Sequence, residues 1–145
     1  MGPTGFITYA KDYLEGYKAY NPEIPFSPAK YYFVCRSLEL SLKSYLSLKG
    51  IPIKTIKYKL GHDLMKNLNK VKELNINRVV EISSTEEFEI EKANNWYSRK
   101  GFEYFDIKNI VESKKTLPEL DVLQALSERL IEILQPLCLS SAQES

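Results

Sequence analysis

The sequence predicts an all-α fold: an antiparallel bundle of four to five helices in a single domain, residues 1–145, with a core over about residues 5–137. A chain of 145 residues suffices for one hydrophobic core and leaves little room for a second. Apolar residues recur every three or four positions in each long segment, which is the period of an amphipathic helix. Proline, glycine and serine fall between these segments, and short connections favour antiparallel neighbours.

The first two helices have clear ends. The first is predicted over about residues 5–20 and ends before Pro22, because proline disfavours a helical conformation in the residue before it. One aromatic stripe runs along it: Phe6, Tyr9, Tyr13, Tyr17 and Tyr20. The second helix is predicted to begin after Ser27, with Pro28 in its first turn, and to end at Gly50. Its wide apolar stripe predicts a place at the centre of the core.

Two shorter helices are predicted in the middle of the chain. A basic loop over residues 51–59 leads to the third helix, which is predicted over about residues 62–74. The fourth helix is predicted to start near Ser84 and to run to about Tyr97. Ser84 and Glu87 have the spacing of a capping box.

The remaining segments are less regular. Residues 78–83 are rich in β-branched side chains and are compatible with a short strand, for which the chain offers no partner strand. Residues 102–107 are predicted to be extended and aromatic. The last helix is predicted to be capped by Thr116, with Glu119 three residues further on, and the tail from Ser140 is predicted to fray.

Charge is balanced over the whole chain but not along it. Twenty basic and nineteen acidic residues give a net charge of +1, so no overall field favours nucleic acid or membranes. Residues 43–78 carry nine Lys or Arg against two acidic residues, and five glutamates follow over residues 81–91. The sequence therefore predicts a polarised surface whose basic side could meet phosphates. The alternative is two solvated faces that only keep the protein soluble.

Several classes of protein are not expected. No segment approaches the roughly 20 apolar residues of a membrane span, and the first ten residues lack the pattern of a signal peptide. Cys35 and Cys138 are the only cysteines, and they form neither a disulfide framework nor a zinc pattern. We therefore expect a cytoplasmic protein with no metal, no cofactor and no membrane partner.

The single histidine limits the chemistry. His62 cannot by itself build a multi-histidine metal site, and the chain has neither a nucleophile elbow nor a glycine-rich phosphate loop. Asp63 is predicted to lie at a helix start, where a carboxylate is stabilising. His62 would then pack locally, contact a second copy in a dimer, or face a pocket as an acid, a base or a hydrogen-bond donor.

Two further clusters are candidates for binding. Glu39 and Lys43 are four residues apart and can pair on one helix face, with Arg36 as another member of the network. The second cluster mixes cations and aromatic rings, which could meet phosphates and stack on bases. Its candidate residues are Tyr97, Arg99, Lys100, Glu103 and Tyr104. The alternative for this cluster is an aromatic strap across the end of the bundle.

These clusters, in this order, resemble the HEPN superfamily. Residues 39–46, ELSLKSYL, resemble its ELxLKxxL central helix. Residues 61–64, GHDL, resemble the GHDL motif at the start of its third helix. Residues 97–104 are similar to a Y-x-(K/R)-x-x-EY strap of bacterial relatives. The resemblance covers roughly residues 5–137. It implies an antiparallel helical bundle, commonly a homodimer, in defence, toxin–antitoxin or nucleotidyltransferase-associated systems.

The ribonuclease branch of that superfamily carries an Arg four to six residues before a His. No Arg occupies residues 56–58 before His62, so this motif is absent and the resemblance implies no catalytic residue. Glu39, Lys43, His62 and Asp63 match the shared pattern, and the resemblance implies a ligand-facing or architectural network.

The leading functional hypothesis is a non-catalytic HEPN-like module that dimerises and binds a nucleotide, an RNA or a cognate protein. One alternative is an RNA-cleaving, toxin-like enzyme that uses His62 with Arg36 or Lys100. The other is a purely structural subunit whose exposed aromatic stripe docks another protein.

Overall fold

The structure of the protein is a computed structural model that describes residues 1–24, 26–99, 101 and 116–143. Within these ranges the regular elements are all helical and none is a strand, which confirms the predicted all-α class. The helices are α1 (Pro3–Ala19), α2 (Pro28–Leu48), α3 (Ile53–Thr55), α4 (Leu64–Glu73), α5 (Ser84–Tyr97) and α6 (Leu120–Gln143). A π turn (Ile56–Leu60) follows α3, and a 3-10 turn (Ile76–Arg78) follows α4.

Helix α2 lies at the centre, as its sequence predicts. Ser27 caps it by accepting a hydrogen bond from the Lys30 amide at 3.4 Å, and Pro28 occupies the first turn. Every residue from 37 to 46 is buried, so neighbouring elements cover this helix on all sides. The close approach of α1 is visible where the Ser37 hydroxyl donates to the Ala10 carbonyl at 2.7 Å. Any charged side chain in this stretch must therefore find partners inside the protein.

Helices α1 and α6 flank α2 and run in opposite directions. The Thr4 hydroxyl at one end of α1 donates to the Cys138 carbonyl of α6 at 3.2 Å. At the other end, the Lys18 ammonium lies 2.9 Å from the Glu128 carboxylate. Helix α6 continues to Gln143, beyond the residue Ser140 at which fraying was predicted. The buried Cys138 and its bond to Thr4 hold this end of α6 against the bundle.

The segment after α2 is more ordered than predicted. In place of the basic loop, residues 53–60 form α3 and the π turn. The apolar residues Ile53, Ile56 and Leu60 are three and four positions apart, a helical spacing that places Ile56 in the core. Helix α4 begins at Leu64 rather than near residue 62, because Asp63 is its N-cap and accepts from the Lys66 amide at 3.0 Å.

The capping box of α5 lies one residue before the predicted pair of Ser84 and Glu87. Ser83 is the N-cap: its hydroxyl accepts from the Glu86 amide at 3.2 Å, and the Glu86 carboxylate accepts from the Ser83 amide at 2.9 Å. The sequence carries both Ser and Glu in duplicate, so its spacing fits either register. Arg129 of α6 decides between them by binding the Glu86 carboxylate at 2.7 Å.

Two other predictions are corrected by tertiary contacts. Residues 78–83 contain no strand; Val80 and Ile82 instead bury their side chains as the chain enters α5. Thr116 does not cap the last helix, which begins at Leu120, because the Glu119 amide donates to the Glu89 carboxylate of α5 at 2.7 Å. The predicted extended segment, residues 102–107, lies outside the described residues.

The register of the capping box is testable with one pair of variants. Ser83→Ala removes the hydroxyl that accepts from the Glu86 amide, and we expect it to lower the free energy of unfolding by about 1 kcal/mol. Ser84→Ala is the matched control and should leave stability within about 0.5 kcal/mol. Urea denaturation measures both. A larger loss in Ser84→Ala would contradict the assigned register.

Candidate functional site

A buried carboxylate stands at the centre of the candidate site. The side chain of Glu39 has 0% exposure; three side chains donate to its two oxygens, and a fourth, His62, lies within hydrogen-bond distance. Oε2 accepts from Lys43 Nζ at 2.7 Å and from Arg36 at 3.0 Å. Oε1 accepts from the Tyr97 hydroxyl at 2.6 Å and lies 3.0 Å from His62 Nδ1. Because an isolated buried carboxylate is costly, these partners allow Glu39 to occupy the core in its charged form.

The ionisation of the cluster follows from these contacts. Burial by itself would raise the pKa of Glu39, but the charge and hydrogen bond of Lys43, together with Tyr97 and Arg36, hold it below its ordinary value. Burial and the Glu39 charge raise the pKa of the Tyr97 phenol, which therefore remains a neutral donor. Burial would lower the pKa of Arg36, but Glu39 outweighs it and raises that pKa. Two cations thus share one carboxylate, which leaves one positive charge in excess.

Arg36 also has an unused hydrogen-bond donor. Its Nε atom is buried and has no hydrogen-bond partner among the described residues. The guanidinium lies 5.8 Å from the centre of the Tyr13 ring, on the side of α2 that faces α1. A buried N–H without a partner costs free energy, so a ligand that reached this atom after a shift of the Arg36 side chain would gain affinity from the bond.

The position of His62 is set by residues on either side of it. Gly61 has φ of +53°, a conformation that favours glycine, and it lets the chain turn sharply before α4. Asp63 caps α4 and also accepts from the Asn94 amide group at 3.1 Å, while the Asn94 side-chain oxygen accepts from the Leu64 amide at 2.7 Å. Asn94 belongs to α5, so α5 fixes the turn that presents His62.

The ring of His62 can bond to only one of its neighbours at a time through Nδ1. This atom lies 3.0 Å from Glu39 Oε1 and 3.0 Å from the Arg36 guanidinium. With a proton on Nδ1 the ring donates to Glu39, and without one it accepts from Arg36. Either way Nε2 lies at the other edge of a side chain that is 64% exposed.

A cavity of about 630 Å³ opens beside this cluster, between α1, α2, α3 and the π turn. Its lining combines cationic groups, aromatic rings and aliphatic side chains. The cationic groups are Arg36, Lys43 and Lys57, the rings are Phe6, Tyr9, Tyr13 and Tyr58, and the remaining lining includes Glu39, Leu40, Ile53, Ile56 and His62. Such a lining fits an anion attached to a flat ring.

The structure brings together only part of the predicted site. Glu39, Lys43, His62 and Tyr97 meet in one cluster, whereas Asp63 is used as a helix cap. Arg99 is exposed and is not among the residues that line the cavity. The other candidates of its cluster lie outside the described residues: Lys100, Glu103 and Tyr104.

Other residues of the site were not recognised in the sequence. Asn94 gave no signal, because its partners lie thirty positions away in the chain. The spacing of Tyr9 and Tyr13 indicates an aromatic stripe and does not by itself indicate a cavity wall. Tyr58, between Lys57 and Lys59, offered a usable signal, since an aromatic residue between cations is typical of phosphate and base contacts.

Together, the fold and the site define a protein that is all-helical over its described residues and has a buried carboxylate–cation cluster beside an open cavity. Comparison of the chain with protein-family models, with curated proteins and with solved structures found no match. In the described part of the chain no helix is long and apolar enough to cross a membrane. The same residues contain no group of three or more His, Cys, Asp or Glu placed to hold a metal ion.

Removal of the central carboxylate is expected to destabilise the fold. Glu39→Gln leaves the buried Lys43 and the partly buried Arg36 without their counter-charge, which should lower the free energy of unfolding by about 3 kcal/mol at pH 7. The matched control, Glu73→Gln, breaks an exposed pair with Lys70 and should cost less than about 1 kcal/mol. Chemical denaturation measures both variants.

The stability lost in Glu39→Gln should depend on pH in a defined direction. Because the pKa of Glu39 is lower in the folded chain than its ordinary value of 4.5, the unfolded chain binds more protons and stability falls as the pH falls. The difference in the free energy of unfolding between the wild type and Glu39→Gln should be constant above pH 4.5. It should shrink as the pH drops through the pKa of Glu39 in the folded chain. A difference that is small at pH 7, or that grows in acid, would contradict the role of Glu39.

Proposed function

We propose that the protein is a non-catalytic, HEPN-like antiparallel helical module that binds a nucleotide in the cavity beside Glu39. The observation that carries this proposal is the excess positive charge of the cluster. Arg36 and Lys43 share a single carboxylate, and Arg36 Nε has no partner among the described residues. A phosphate group supplies both the missing negative charge and the missing acceptor.

The walls of the cavity support a ligand that also carries a base. Tyr9 on α1 and Tyr58 in the π turn both line the cavity, and their exposed fractions are 50% and 75%. Exposed rings beside a phosphate-binding group are a common arrangement for stacking a base. The volume of about 630 Å³ lies within the range of small-molecule sites.

The resemblance to the HEPN superfamily adds to this proposal. The segment that resembles its central helix, residues 39–46, supplies Glu39 and Lys43 from the buried part of α2. The segment that resembles its GHDL motif, residues 61–64, supplies His62. A homodimer, a cytoplasmic location, a cognate protein partner and a defence or toxin–antitoxin context belong to the same proposal as implications of the resemblance.

Nucleotide binding can be tested by calorimetry with AMP and UMP, using adenosine and uridine as controls. We expect the nucleotides to bind more tightly than the nucleosides, because the phosphate meets Arg36. Arg36→Gln should weaken nucleotide binding by at least about tenfold, equivalent to about 1.4 kcal/mol. Arg78→Gln removes an exposed arginine from the 3-10 turn and should leave binding unchanged. Failure of the folded wild type to bind either nucleotide at millimolar concentration would contradict the proposal.

RNA cleavage is the second candidate function, and one observation favours it. The Glu39 carboxylate at Nδ1 of His62 can orient the ring and leave Nε2 available for proton transfer. Arg36 lies 3.0 Å from the same ring and could stabilise a developing negative charge. This arrangement is assembled by the fold from residues 26 positions apart, and not by the sequence motif of the ribonuclease branch.

Cleavage is tested by incubating the protein with end-labelled mixed RNA, with His62→Ala prepared in the same way. The non-catalytic proposal predicts intact RNA with both proteins, each shown by circular dichroism to be folded. Cleavage by the wild type alone would instead make His62 catalytic. Equal cleavage by both proteins would point to a contaminating nuclease, which repurification removes before the comparison is repeated.

A further inference from the structure

The chain between α2 and α4 presents exposed cations to solvent. Lys54, Lys57 and Lys59 are all exposed on α3 and the π turn, and residues 49–62 contain no Asp or Glu. Tyr58 lies between two of these lysines and is the most exposed large hydrophobic side chain of the described residues, at 75%. Together, Lys54, Lys57, Tyr58 and Lys59 form one surface, the lysine surface.

The charge of the lysine surface is not balanced by nearby acids in the described ranges. None of its three lysines forms an ion pair with residues 1–24, 26–99, 101 or 116–143. Three lysines of the following helices are paired: Lys70 with Glu73, Lys72 with Glu87 and Lys92 with Glu89. The acid next along the chain, Asp63, accepts hydrogen bonds from the Lys66 amide and Asn94. The lysine surface thus keeps three positive charges for an external anion.

The lysine surface is continuous with the cavity. Lys57 and Tyr58 line the cavity and also belong to the exposed face, whereas Lys54 and Lys59 lie outside the lining. Ile56 is buried in the core and fixes the π turn to the bundle, so these positions are held relative to the cavity. A ligand with one unit in the cavity and further negative charges along its length would meet both.

We infer that the cavity and the lysine surface together bind a single-stranded nucleic acid. One nucleotide occupies the cavity, and the phosphates that follow it contact Lys54 and Lys59. The inference rests on the proposed nucleotide site and extends it from a mononucleotide to a strand. A duplex does not fit this description, because its bases are stacked inside and cannot enter the cavity or stack on Tyr58, whereas a single strand exposes both phosphates and base faces.

Variants that remove charge from the lysine surface distinguish the binding of a strand from the binding of a mononucleotide. The probes are UMP, fluorescein-labelled oligouridylate of about 12 nucleotides, oligothymidylate of the same length, and a duplex of equal length. The test variant is Lys54→Gln/Lys59→Gln. The control, Lys11→Gln/Lys70→Gln, removes the same charge from α1 and α4, away from the cavity lining. Fluorescence anisotropy measures the oligomers, and calorimetry measures UMP.

The inference predicts that one or both single-stranded oligomers bind the wild type at least about tenfold more tightly than UMP at low salt. The test variant should lose about tenfold in oligomer affinity and less than twofold in UMP affinity, with little change in the control. Because each phosphate contact on a single strand contributes about 0.7 to the salt dependence, the slope of log K against log salt should fall by roughly 1.4 in the test variant.

Three results would overturn the inference, and they differ from those that overturn the proposed function. Oligomers that bind no more tightly than UMP would leave a mononucleotide site. Equal losses of oligomer affinity in the test and control variants would show that the affinity depends only on the net charge of the protein. A duplex that binds as tightly as the single strands would show that binding does not require a nucleotide in the cavity. Absence of binding by UMP and by every oligomer would contradict the proposed function as well.

Discussion

The site depends on one buried carboxylate and on how its charge is satisfied. Glu39 lies in a stretch of α2 where every residue is buried, so water cannot solvate it. Its partners come from three places along the chain: α2 itself, the turn before α4, and the end of α5. The need to satisfy this charge therefore couples the central helix to the two elements that carry His62 and Tyr97. Because these partners share the two oxygens of one carboxylate, we expect their contributions to stability not to be additive.

The proposed binding of an anion rests on the same arrangement. A single carboxylate can balance only one of the two cations beside it, and Arg36 Nε remains without a partner in the described part of the chain. The π turn adds Lys57 and Tyr58 to the same cavity. In the proposed function, stability and binding therefore draw on the same residues: Glu39 holds the cations in place, and their excess charge would attract the ligand.

Much of the fold could be predicted from the sequence, because it depends on local patterns. The ends of α2 follow from Ser27, Pro28 and Gly50, and the contact of Glu39 with Lys43 follows from their spacing on one helix. The basic loop was wrong although the spacing of Ile53, Ile56 and Leu60 is helical, whereas the displaced helix starts depend on tertiary contacts. The cap of α5 was displaced by one residue because Arg129 selects Glu86, and the start of α6 was displaced because Glu89 engages the Glu119 amide. The hydrogen bond from Tyr97 to Glu39 spans 58 positions and leaves no periodic signal.

If the excess charge beside Glu39 recruits a phosphate, the contact should be observable at Arg36 Nε. The chain has four arginines, whose Nε–H groups can be resolved and assigned in nitrogen-15 NMR spectra. We predict that titration with UMP shifts the Arg36 Nε–H signal in a saturable manner and leaves those of Arg78 and Arg129 in place. An Arg36 signal that does not move at saturating UMP would contradict the account, because the unused donor would then not meet the phosphate.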